Sequence, residues 1–160
     1  MEIDKLISAI KKLTPETKPK WGKMNATQMV WHCKKFIIFY QNEKNYPPNL
    51  RTKTLGYMHM FFLKHVIKWD YDKYPKNTPT LKFFDPAKAK DVDLEDEKKE
   101  LIKRLKMVNE YDQEFLVNTM HGKVKRDTFK EVVRGHTSFH LKQFGVCLLY
   151  TSDAADERNS

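Results

Sequence analysis

The amino-acid sequence predicts an all-α fold, most simply a four-helix bundle with an extra helix and an irregular crossover between the second and third bundle helices. Three observations lead there. Apolar residues recur at steps of three and four in several separate segments, the mark of helices with one buried stripe. Prolines and turn-forming residues collect between those segments and not inside them. No stretch alternates apolar and polar residues strongly enough to compete as a strand.

Taken in order, Ile3, Leu6, Ile7, Ile10 and Leu13 make one stripe of a first helix, ended by "TPETKP". A second helix opens at Asn25, with Gln28 three residues on as a capping box and Met24 with Met29 as a hydrophobic staple. Its buried face is expected to carry Met29, Cys33, Phe36 and Tyr40. "KNYPPN" breaks the chain. A further helix near Thr54 to Lys68 follows, then "YDKYPKNTPTLKFFDPAKAK", where prolines exclude regular helix. From Asp93 a long helix resumes, with acids in the first turn where the macrodipole favours them, and Leu94, Leu101, Leu105, Val108 and Phe115 as its expected apolar row. "MHGKVKRD" interrupts it. Asp127 is the expected cap of the last helix, on which Phe129, Val133, His136, His140 and Phe144 fall on one face before Gly145 stops it.

The chain of 160 residues carries a formal charge of +9. Its end is set apart: "CLLYTSDAADE" resembles the reading-frame translation of a transposase adapter used in preparing sequencing libraries. Residues 147–160 are therefore expected to be an artefactual or disordered tail, and residues 1–146 a single domain. The tail holds Asp153, Asp156 and Glu157 against Arg158, so the domain itself carries about +11. Such a balance favours anionic partners, but the lysines are interspersed with acids, as in "DVDLEDEKKELIKRLK", and no basic arm or RNA-binding motif appears. Nucleic acid is accordingly the minority expectation and a small anionic molecule the leading one. Within the domain only Cys33 remains, which excludes an intramolecular disulfide and suits a reducing cytoplasm. The acidic, interrupted start "MEIDKLISAIKKL" does not read as a signal peptide, and "YMHMFFLKHVIKW", broken by His59, Lys64 and His65, is too short to span a membrane. A cytoplasmic protein with no membrane partner is expected.

Chemistry concentrates on histidine. His136 and His140 lie four apart, so both rings leave the same helix face one turn apart. A third imidazole, His32, lies on the apolar face of the second helix, three after Met29 and four before Phe36. At ~1.5 Å per residue, His32 is ~9 Å into its helix, and His140 and His136 lie ~6 and ~12 Å from the end at Phe144. If the two helices are antiparallel, His32 is level with the midpoint of the pair. Three neutral imidazoles suit a divalent transition metal, zinc or nickel first and iron after them, and leave a position for water or substrate. Gln143, three after His140 and seven after His136, is the candidate to bond a ligand imidazole or bound water, with helix-end packing as the equal alternative. The competing reading makes all three histidines structural, each bonded to the backbone.

These residues also carry a family resemblance. "KWGKMNATQMVWH", followed about a hundred residues later by "HTSFHLKQFGV", resembles the DinB/YfiT-like superfamily, in a branch with a W-G-K-M-x-x-x-Q-M-x-x-H segment and a closing H-x-x-x-H-x-x-Q-F-G. The resemblance spans most of residues 1–146 and is weak between Pro47 and Asp91. It implies an up-down-down-up bundle, whose two parallel middle helices require a long crossover, and a three-histidine metal site formed by His32, His136 and His140. Some relatives transfer or isomerise with low-molecular-weight thiols, so the resemblance implies a metal-dependent transferase or hydrolase without choosing the reaction.

The remaining candidates read as structural. Cys33 is ~100° around the helix from His32 and belongs to the core. His59 and His65, six apart, are poorly placed to chelate and are expected at the surface or partly buried. His121 precedes Gly122 in a turn, with a capping role. Trp21, Trp31 and Trp69 fill core or rim. Asp70, Asp112 and Glu114 are present, but nothing in the sequence brings them to the histidines. The expected partners are thus a small-molecule substrate, anionic or a low-molecular-weight thiol, with a homodimer as the oligomeric alternative. The functional alternative is a basic module that binds anions or nucleic acid through its charge.

Overall fold

The computed structural model describes residues 3–43 and 50–146, with the side chains of Arg51 and Thr52 left aside. The "KNYPPN" break and the tail 147–160 lie outside it. The protein is mostly helical: α1 (Ile3–Lys11), α2 (Ala26–Tyr40), α3 (Leu50–Phe61), α4 (Leu94–Glu110) and α5 (Arg126–Gln143), with a hairpin of β1 (Phe115–Asn118) and β2 (Gly122–Lys125). Among the described residues no helix is long and apolar enough to cross a membrane.

Helix α2 is the axis of the structure. The side chain of Asn25 accepts from the Gln28 amide at 2.8 Å while the Gln28 side chain accepts from the Asn25 amide at 3.0 Å, so two otherwise unpaired donors are satisfied and the helix start is fixed. Met29, Cys33, Phe36 and Tyr40 are buried as the periodicity requires, and Val30, Ile37 and Phe39 are buried with them. An apolar surface that wide needs partners on several sides. Lys34 pairs with Glu97, and Glu43 with Arg104, so α2 and α4 run parallel. Against α5 the pairs run the other way: Trp21 with Phe139, His32 with His136, and Tyr40 with Phe129, which makes α2 and α5 antiparallel.

Parallel neighbours cannot be joined by a short turn, and the chain between α2 and α4 is correspondingly long. It contains α3, a wider π-helical turn at Phe62–Val66, and two short 3₁₀ turns at Tyr71–Lys73 and Pro86–Lys88. The proline-rich stretch forms no longer helix, in agreement with its composition. Helix α1 packs on α4 and α5, and its C-terminal end is closed by Lys98 of α4, whose buried ammonium donates to the carbonyls of Lys11 (3.2 Å) and Leu13 (2.9 Å).

Three expectations are corrected. The fold is not all-α, because residues 115–125 pair as an antiparallel hairpin, Phe115 opposite Lys125 and Asn118 opposite Gly122. Phe115 therefore belongs to β1 and not to the apolar row of α4, which ends at Glu110. Only Leu116, Asn118 and Val124 face inward from these strands, too few for alternation to stand out in the sequence. The turn is made by Asn118, whose side-chain oxygen accepts from the amides of Met120 and His121, and by Gly122 at φ +68°. Finally, Asp127 does not cap α5; Lys125 stands at the cap without a side-chain bond, and Asp127 lies inside the first turn, where its charge still suits the helix dipole. Gly145, at φ +68°, ends the helix as expected.

Two helical glycines mark close approaches. A Cβ on Gly135 would stand 1.9 Å from the ring of Tyr71, and one on Gly56 would stand 1.7 Å from the Met120 carbonyl oxygen. The second clash is with backbone and cannot be relieved by a rotamer. A Gly56→Ala variant is expected to lose ~1–3 kcal/mol of stability in urea unfolding, the range for overpacked sites. An unchanged midpoint would show that α3 does not press on the hairpin turn.

Candidate metal centre

His32, His136 and His140 converge between the antiparallel helices α2 and α5, each offering one nitrogen, with all three nitrogens within 4.8 Å of one another. His32 Nε2 and His136 Nε2 are 3.2 Å apart. Two imidazole nitrogens on one tetrahedral ion would stand ~3.4 Å apart, given bonds of ~2.0–2.1 Å, so the spacing fits a shared cation. Phe36, one turn along α2, stacks on the His136 ring with centroids 3.9 Å apart and planes 14° from parallel. The helical face carrying His32 and Phe36 thus both supplies a ring and holds another in place.

Two of the three rings are fixed from behind. His32 Nδ1 donates to the Phe84 carbonyl at 2.6 Å, and His140 Nδ1 donates to Gln143 Oε1 at 2.9 Å. Each bond puts the ring proton on Nδ1 and leaves the Nε2 lone pair toward the centre. Gln143 is oriented in turn by donating to the Trp21 carbonyl at 2.7 Å, and the Lys20 amide donates to the Gln143 carbonyl at 2.7 Å. Gly22, at φ +82°, lets this segment close on the helix, since a Cβ there would stand 2.5 Å from Gln143 Nε2. The sequence segment "KWGK" and the end of α5 are therefore one structural unit. His136 Nδ1 is buried with no hydrogen-bond partner among the described residues.

Burial holds all three imidazoles uncharged. Desolvation lowers the pKa of His32 to about 4 and that of His140 to about 3, and pushes His136 well below its ordinary value, with the neighbouring rings adding to the effect at His136 and His140. Uncharged rings with free lone pairs are what a cation requires. Among the described residues no carboxylate joins the set.

The other candidates stand apart from this cluster. Cys33 is fully buried against Met29, its thiol pushed far above the ordinary range by desolvation. Asp70 caps a 3₁₀ turn and pairs with Lys73, while Asp112 and Glu114 are exposed. Trp31 is buried and Trp21 and Trp69 half-buried, filling core and rim. His65 is exposed and His59 half-buried. His121 lies in the hairpin turn and caps no helix, which corrects the expected role. Together His59 and His121 form a second polar array that spacing did not reveal: Tyr40 Oη to His121 Nδ1 (2.7 Å), His121 Nε2 to His59 Nδ1 (3.0 Å), and His59 Nε2 to Tyr74 Oη (3.2 Å). Its members come from four different segments, so no local pattern could have announced it.

Compared with protein-family models, with curated proteins and with solved structures, the chain matches none.

Two measurements test the site. Replacing Gln143 by Met leaves the His140 Nδ1–H and the Trp21 carbonyl without partners, and metal affinity is expected to fall ~10–100-fold in a competition titration. Equal affinity would detach Gln143 from the site. In metal-free protein, His32, His59, His121 and His140 have folded pKa values of about 4, 4, 3 and 3, below the unfolded value of 6.5. Their contribution is complete above pH 6.5 and is lost as pH falls toward 4, at up to ~1.4 kcal/mol per pH unit for each ring. Urea midpoints that stay level between pH 7 and pH 5 would contradict this.

Proposed function

We propose that the protein is a metal-dependent enzyme whose cation is held by His32, His136 and His140. The observation that carries this reading is the convergence of three uncharged imidazoles on one point from two antiparallel helices. Structural histidines can pair, as His59 and His121 do, but three ring nitrogens drawn to one point exceed what a pairwise bond requires. The donor set, all nitrogen and neutral, suits zinc, nickel or iron. A cation there supplies a Lewis acid at neutral pH.

The parallel pairing of α2 with α4 and the antiparallel pairing of α2 with α5 support a further part of the reading: an up-down-down-up four-helix bundle of α1, α2, α4 and α5, related to the DinB/YfiT-like superfamily. The contact between the "KWGK" segment and Gln143 supports it too, because the two sequence motifs that carry the resemblance meet in space. Within that reading the leading reactions are transfer to or from a low-molecular-weight thiol, and hydrolysis. His32, His136 and His140 have the binding role, Gln143 and the Phe84 carbonyl orient two of the rings, and Phe36 keeps water from one side of His136.

Protein purified without a histidine tag is expected to hold about one transition-metal ion per chain by elemental analysis. At free metal a thousandfold above its dissociation constant, binding adds ~4 kcal/mol, raising the melting temperature by roughly ten degrees. His32→Ala, His136→Ala and His140→Ala should each abolish most of that shift, while His65→Ala leaves it intact. Protein that holds no metal and cannot be reconstituted would refute the proposal, and a full shift in His32→Ala would remove α2 from the site.

A further inference from the structure

A second concave site lies between α3, with its π turn, and the exposed face of the hairpin. The groove encloses 780 Å³ and shares no lining residue with the three-histidine cluster. Its base is tied in two ways: Gly56 abuts the Met120 carbonyl, and His59 of α3 bonds His121 of the turn at 3.0 Å. Tyr40 holds His121 in turn, which anchors both walls to α2.

Its walls are chemically one-sided. Lys53, Tyr57, Phe61 and Lys64 follow one another at steps of four, four and three, so α3 and its extension present them along one face. Lys123 and Lys125 face them from β2. Among the described residues no carboxylate lines the groove and none of these four lysines makes an ion pair. Lys123 lies over the ring of Phe115 instead, at 4.0 Å. What sets the four apart is their clustering without an acid, since five lysines elsewhere sit beside one: Lys34 with Glu97, Lys73 with Asp70, Lys98 with Glu95, Lys99 with Asp96, Lys142 with Asp72. Between the charges, Tyr57 and Phe61 are 78% and 62% exposed.

We propose that this groove is a ligand site for an organic polyphosphate with an aromatic body, of the nucleoside di- or triphosphate class. Its volume is in the range of small-molecule sites. Four clustered cations with no carboxylate beside them call for several negative charges on the ligand, and lysine meets phosphate as a point charge without demanding planar geometry. The open aromatic rings between them suit a planar base. A fatty acid, with one charge, would leave most of the lysines unmatched, and inorganic phosphate would leave the rings bare. The proposal is independent of the metal centre.

Calorimetric titration of the full chain at low ionic strength, without divalent cations, tests it with four probes: adenosine triphosphate, inorganic tripolyphosphate, decanoate and a single-stranded oligonucleotide. Because triphosphates chelate metals, the His136→Ala variant is titrated alongside. The nucleotide should bind one to one in both proteins. A Lys64→Glu/Lys123→Glu double variant should weaken it at least ~10-fold, whereas Lys73→Glu/Lys99→Glu, the same change in net charge elsewhere, should not. Tyr57→Ala should weaken the nucleotide several-fold and leave tripolyphosphate unchanged. The Tyr57, Lys64, Lys73, Lys99 and Lys123 side chains are exposed, and circular dichroism is recorded for every variant to check that it folds. Absence of nucleotide binding, equal loss in both double variants, loss of binding in His136→Ala, or tighter binding of decanoate or of the oligonucleotide would each overturn the proposal.

Discussion

The structure depends on keeping three imidazoles uncharged between α2 and α5. A histidine in water is close to half-protonated near pH 6.5, and burying the charged form is costly, so the interior must both exclude the proton and satisfy the ring nitrogens left behind. Desolvation does the first. The second recruits parts of the chain far from either helix: the Phe84 carbonyl for His32, and Gln143 for His140, steadied by the Trp21 carbonyl. The irregular crossover and the segment before α2 thereby acquire a structural reason for their positions.

The crossover follows from the same arrangement. Because α2 lies parallel to α4 and antiparallel to α5, about fifty residues must travel the length of the structure before α4 can begin. That passage is put to use. Phe84 contacts Phe36 and Phe39 while its carbonyl holds His32, and the Tyr71 ring lies so close to α5 that a Cβ at position 135 would clash with it. The 3₁₀ turns around these residues are each closed by an aspartate side chain, Asp70 and Asp85, which compensates locally for the absence of a longer helix.

A second histidine pair obeys the same physics with a different outcome. His59 and His121 are also held uncharged by burial, but every ring nitrogen is taken: by each other, by Tyr40 and by Tyr74. Rings with no free lone pair act as a tie and not as a ligand set. They join the crossover, α3, the hairpin turn and α2, and so shape the floor of the basic groove. The contrast lies in geometry: one cluster brings three ring nitrogens to a common point, the other links its rings pairwise in a chain ended by two tyrosines.

Local rules made much of this legible in the sequence. The stripes of α1, α2 and α4, the Asn25–Gln28 capping box, the Gly145 stop and the shared face of His136 and His140 all arise from contacts within a turn or two, where spacing alone dictates geometry. His32 could be joined to that pair because axial rise converts sequence distance to height, and the antiparallel pairing then placed it level. The hairpin escaped because four-residue strands carry too little alternation to register, and the extension of α4 to Phe115 failed with it. The Phe84 carbonyl, the Tyr40–His121–His59–Tyr74 array and the lysine-lined groove were decided only by tertiary structure. A backbone carbonyl has no sequence signature, and groups that meet across 52 or 81 positions are brought together by packing, not by any period along the chain.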